Sequence, residues 1–86
     1  MTVAIITAST RLGLRRALLK TVVSHLPVDI PTQTELAGTL GISRARLHAL
    51  RNGQAEQFSL DALVEFALKL GLTVRMTVTR PYSRDE

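Results

Sequence analysis

The stretch Thr32–Gly53, TQTELAGTLGISRARLHALRNG, decides how this chain is read. Thr32-Gln33-Thr34-Glu35 has the pattern of a capping box. The Thr32 hydroxyl can accept from the Glu35 amide while the Glu35 carboxylate reaches back to the Thr32 amide. The box starts a short helix carrying Leu36, Ala37 and Leu40. Gly41 stops it, because glycine enters the left-handed region at little cost. Ser43 is a good N-cap for a following helix, Ser43 to Asn52, whose apolar anchors are Leu47 and Leu50 and which ends at Asn52-Gly53. Two short helices joined by a glycine turn make a helix-turn-helix. Ile42 would help to lock the pair at a fixed angle, and Ala37 is small where the two helices approach closely.

A wheel at about 100° per residue sorts the second of these helices. With Leu47 and Leu50 inward, Ala45, His48, Ala49 and Asn52 lie opposite, and Arg44 sits at one edge. Such a face is small, polar and basic, which suits the major groove of DNA. Alanine methyls let a helix approach base edges and can meet the thymine methyl, and an arginine near the helix N-terminus can grip guanine in a bidentate way. Arg44, Ala45, His48 and Ala49 are therefore the candidate base contacts. Gln33, Thr34, Ser43, Arg46, Arg51 and Asn52 are the candidate phosphate contacts, since helix N-termini and flanking cations suit phosphate oxygens. For His48, a plain exposed histidine is nearly as common a reading as a contact.

Outward from this centre, Leu14, Leu18, Val22 and Leu26 recur at helical spacing from roughly Thr10, and Pro27 ends that helix. His25 would be its C-terminal cation. Residues 2–7 are β-branched and form either a short strand or a flexible arm. Residues 54–58 read as a polar loop. Ser59 caps a further helix, with Asp61 in its first turn and Leu60, Leu63, Val64, Ala67, Leu68 and Leu70 on a broad apolar face that Gly71 ends. From Leu72 to Thr79 the chain alternates, with Leu72, Val74, Met76 and Val78 on one face, which is a strong strand signal. A lone strand cannot satisfy its backbone, so it must pair with residues 2–7 or with a second copy. The symmetric pairing is preferred, making these four residues the candidate dimer contacts. The organisation is thus an arm or short strand (1–9), a helix-turn-helix domain (10–71), a dimerisation strand (72–79) and a flexible tail (80–86).

Composition narrows the function classes. Aromatics are 3% of the chain, too few for the stacking platforms of many RNA-binding folds. There is no cysteine, so disulfides, zinc ribbons and thiol nucleophiles are excluded. The two distant histidines and scattered acids make no metal cluster, and no nucleophile–base pattern stands out. Neither an enzyme nor a cofactor is expected. The N-terminus lacks the basic-then-apolar order of a secretory signal, and no apolar run reaches the ~20 residues that span a bilayer, so a cytoplasmic protein without a membrane partner is expected. The net charge is +4, which favours polyanionic partners. Residues 1–28 hold Arg11, Arg15, Arg16 and Lys20 and no acid, and residues 43–53 hold Arg44, Arg46 and Arg51 and no acid. Arg15, Arg16 and Lys20 are either a phosphate-binding flank or, more commonly for such residues, the solvated face of a helix.

Residues 32–72 resemble the helix-turn-helix of the XRE and phage-repressor superfamily. The matching features are Gln33, Glu35-Leu36-Ala37, Leu40-Gly41-Ile42-Ser43, Leu47, Leu50, Asn52-Gly53, Ser59-Leu60, Leu63 and Leu70-Gly71. With the following LTVRMTV, the chain is similar to HigA-like antitoxins of toxin–antitoxin pairs. The resemblance implies a mainly α, phage-repressor-like bundle of four or five helices with a C-terminal dimerisation strand. It implies a homodimeric repressor on a palindromic double-stranded DNA operator, with a small ribonuclease-type toxin as a further partner. Many members carry an acid where Arg51 stands, as half of a structural ion pair, so Arg51 departs from the pattern and adds positive charge. The rival readings are a protein-interaction module that kept the fold without DNA binding and a stand-alone phage-type regulator.

Overall fold

The computed structural model describes residues 5–27 and 32–79. Among the described residues there are four α-helices: α1 (Arg11–Ser24), α2 (Gln33–Leu40), α3 (Arg44–Arg51) and α4 (Leu60–Lys69), with a 3₁₀ turn at Ala55–Gln57. Each begins where a hydroxyl can satisfy an otherwise orphaned amide. Thr10, Thr32, Ser43 and Ser59 accept from the amides of Gly13, Glu35, Arg46 and Ala62 at 3.0, 3.0, 3.1 and 3.1 Å. The second arm of the expected box, from the Thr32 amide to the Glu35 carboxylate, is not formed.

The ends of α2, α3 and α4 share one device. Gly41, Gly53 and Gly71 all have positive φ, at 74°, 76° and 83°. The residue after each glycine donates its amide to an alanine carbonyl five residues back: Ile42 to Ala37, Gln54 to Ala49 and Leu72 to Ala67, at 2.9, 3.1 and 3.0 Å. Each glycine amide bonds three residues back, to Gly38, Leu50 and Leu68. These are the paired bonds of the Schellman motif, and they fold the departing chain over the last helical turn. The alanine at the foot of each motif is buried. The α1 end differs: His25 caps it, and its ring Nδ1 lies 2.9 Å from the Thr21 carbonyl, as a C-terminal histidine should.

The core is aliphatic with two aromatics. Leu18, Leu19, Val22 and Leu26 of α1 and its exit meet Leu36, Ala37 and Leu40 of α2, Leu47 and Leu50 of α3, and Leu63, Phe66 and Ala67 of α4. Leu14, expected on the α1 stripe, is half-buried, and Leu12 packs against the core. Residues 54–58 are more than a polar loop, since Ala55 and Phe58 are fully buried there. Phe58 meets Phe66 edge-to-face with centroids 5.9 Å apart. The Lys69 ammonium reaches back 3.2 Å to the Leu40 carbonyl, adding a donor to the open end of α2.

The expected C-terminal strand is not formed: residues 72–79 have no regular secondary structure, and neither do residues 5–10. Leu72 packs against the core, but Val74, Met76 and Val78 are exposed, Val78 at 86%. The physical reason is the lack of a ladder partner among the described residues, without which alternation has no sheet to enter. At the other end Ile6 packs against the core while Ile5 is exposed. The first residues of the 2–7 segment and the expected tail at 80–86 lie outside the described residues.

Candidate nucleic-acid interface

Helices α2 and α3, joined by Gly41-Ile42-Ser43, form the expected corner, with Leu36, Leu40, Leu47 and Leu50 sealed beneath it. What remains outside is a shallow open groove lined by Gln33, Arg44, Ala45, His48 and Arg51. It joins the first turn of α2 to the outer face of α3. Three of the four candidate base contacts, Arg44, Ala45 and His48, share it with two candidate phosphate contacts, Gln33 and Arg51. No carboxylate lines it.

Ala49 is corrected. It keeps only 7% of its surface and belongs to the core, so it cannot meet a base. Its carbonyl accepts the Schellman bond from Gln54, and its side chain joins the core cluster. A helical wheel treats the helix as a free cylinder and cannot see which of its sides the rest of the fold packs against. Thr34 is exposed on the first turn of α2 and does not line the groove. Ser43 is exposed, and its oxygen is engaged in capping α3. Its hydroxyl proton remains available to an acceptor.

Arg46 takes an unexpected position. Its guanidinium lies 4.4 Å from the centroid of the Phe58 ring, a cation–π contact that holds the planar group against a core residue. Asn52 caps the end of α3, and its side-chain amide nitrogen lies 2.9 Å from His48 Nε2. The amide nitrogen can only donate, so Nε2 is the acceptor in this contact. The groove presents donors from Arg44 and Arg51 beside the His48 ring and the Ala45 methyl, a set that suits the acceptors of a guanine edge and the methyl of thymine.

Sequence reasoning missed the Phe58 platform under Arg46 and the Lys69 reach to α2, because both join residues distant in the chain. No local signal marks either.

Residues 7–79 of the chain match a family model described as a helix-turn-helix domain. The chain belongs to this family. Neither the curated proteins nor the solved structures compared with it contain a match. The family span takes in α1, α4 and the segment after Gly71, so the helix-turn-helix domain is wider than the two-helix corner. Membership points to DNA as partner and to gene regulation as the role. Among the described residues no helix is long and apolar enough to cross a membrane.

Proposed function

We propose that this helix-turn-helix domain is a sequence-specific transcriptional repressor that reads the major groove with Arg44, Ala45 and His48. The observation that carries the reading is the groove itself, in which Gln33, Arg44, Ala45, His48 and Arg51 converge without an acid. Base readout needs donors close to base edges, and positioning needs cations on phosphates; one surface supplies both. The protein acts in the cytoplasm, by binding and not by catalysis.

The repressor works as a homodimer on a palindromic operator. Exposed Val74, Met76 and Val78 support this, because antiparallel pairing of residues 72–79 with a second copy would satisfy their backbone and cover their side chains. Such pairing would place two α3 helices on half-sites about one helical turn, ~34 Å, apart. The similarity to HigA-like antitoxins extends the proposal: the protein neutralises a small ribonuclease-type toxin and represses the operon that encodes both.

Titration of a labelled duplex from the protein's own promoter, against a shuffled duplex, tests the core of the proposal. Arg44→Ala is expected to cost about 1–3 kcal/mol on the promoter and little on the shuffled duplex. Absence of promoter binding by the wild type at moderate salt sinks the repressor and leaves the protein-interaction module. Sedimentation tests the dimer. A wild type that stays monomeric at high concentration, with Val74→Asp indistinguishable from it, excludes pairing through this segment. A toxin reading frame in the neighbouring gene, and co-purification of its product, separates an antitoxin from a stand-alone regulator.

A further inference from the structure

Beside the reading groove lies a second one, between α1 and the C-terminal end of α3. Arg16 and Lys20 of α1 face Arg51, Asn52 and Gly53 across it. Three cations therefore line one concavity, and no acid lines it. Among the described residues neither Lys20 nor Arg51 has an ion-pair partner, and Arg16 meets Glu56 at 3.5 Å with both side chains more than 60% exposed. Like charges gathered around a groove repel unless an anion sits among them.

Arg51 lines both grooves, so the two adjoin at its side chain. A helix lying in the major groove has a phosphate strand along each wall, and its flanks meet that backbone. We infer that Arg16, Lys20 and Arg51 form a clamp for the phosphodiester backbone of the same duplex, so that α1 takes part in the DNA footprint. The inference rests on the groove-reading function proposed above. It assigns Lys20 and Arg16 a sequence-independent share of the affinity, separate from the readout by Arg44. Apolar Leu19 and Val23 also line the groove, giving the Lys20 stem a surface to lie along.

The test is a salt series. Binding of wild type, Lys20→Gln, Lys20→Arg and Arg44→Ala is measured on a selected operator duplex and on a shuffled duplex of the same composition. Lys20 is exposed, and a thermal melt checks that each variant folds. For Lys20→Gln, the slope of log K against log salt is expected to shrink by about 0.9, the loss of one phosphate contact. Both duplexes weaken by the same factor, the preference between them persists, and Lys20→Arg restores the slope. An unchanged slope in Lys20→Gln, while Arg44→Ala still abolishes the preference, overturns the clamp and leaves the groove reading standing. The same pattern joined to Lys20-dependent capture of an acidic protein partner also overturns it. Failure of the wild type to prefer the operator overturns both.

Discussion

The corner of α2 and α3 and the segment 72–79 carry equally plain patterns in the sequence, yet only one becomes regular structure here. The corner closes on itself. Its caps lie within three residues of the amides they satisfy, and its apolar stripe meets α1 and α4 of the same chain. The segment alternates as cleanly, but its backbone partners must come from elsewhere. A helix satisfies its own hydrogen bonds and a strand never does. Periodicity therefore fixes what a segment can become, and the availability of a partner fixes whether it does.

Four measurements break or sharpen this contrast. The largest effect is expected at the corner's floor. Leu50→Ala removes a side chain with no exposed surface, and urea titration should show a loss of about 2–5 kcal/mol. A loss below 1 kcal/mol would mean the corner is not a packed unit. Next comes the α3 cap. Ser43→Ala leaves the Arg46 amide unsatisfied at about 1 kcal/mol, and Ser43→Asp should recover most of it.

On the other side of the contrast, Met76→Thr with Val78→Thr should move the stability of the dilute protein by less than about 0.5 kcal/mol, because both side chains already face solvent. At high concentration the same pair should shift the sedimentation profile if the segment joins two copies. A cost at high dilution matching that of Leu50→Ala would erase the distinction between the two regions.

The smallest effect concerns pH at the rim. The Glu56 carboxyl is held below the usual range, first by a backbone hydrogen bond, with desolvation the next-largest effect and opposing it, and then by Arg16 and Arg15. A carboxyl lowered in the folded state stabilises above its unfolded pKa, and the contribution fades as pH falls through the folded value. Glu56→Gln should slightly flatten the acid side of the stability profile in low salt, with no change near neutral pH in slope. The group is fully solvated, so salt should suppress the difference.

Much of the fold was legible because its signals are local. Thr32, Ser43 and Ser59 cap the helices they were expected to cap, and Gly41, Gly53 and Gly71 lie where α2, α3 and α4 end. Arg44, Ala45 and His48 follow from the spacing of Leu47 and Leu50. The failures are those of packing at a distance. Ala49 joins the core cluster and Phe58 packs against Phe66, so neither can be placed from its neighbours in sequence. Arg46 was read as a flanking cation, and its platform appears only once residue 58 has folded underneath it.

The three glycine-terminated ends carry a consequence for how this domain can change. In each, the accepting carbonyl belongs to a buried alanine four positions before the glycine, in the pattern Ala-x-x-x-Gly at 37–41, 49–53 and 67–71. The intervening residues include Arg51 and Asn52 of the interface and Lys69 of the α2 end. Selection can thus rewrite contacts between the fixed posts without disturbing the posts themselves. On the proposed groove reading, base preference can change through Arg44, His48 and Arg51 while the backbone bonds that end α3 stay as they are. The helix endings act as a frame within which specificity is free to drift.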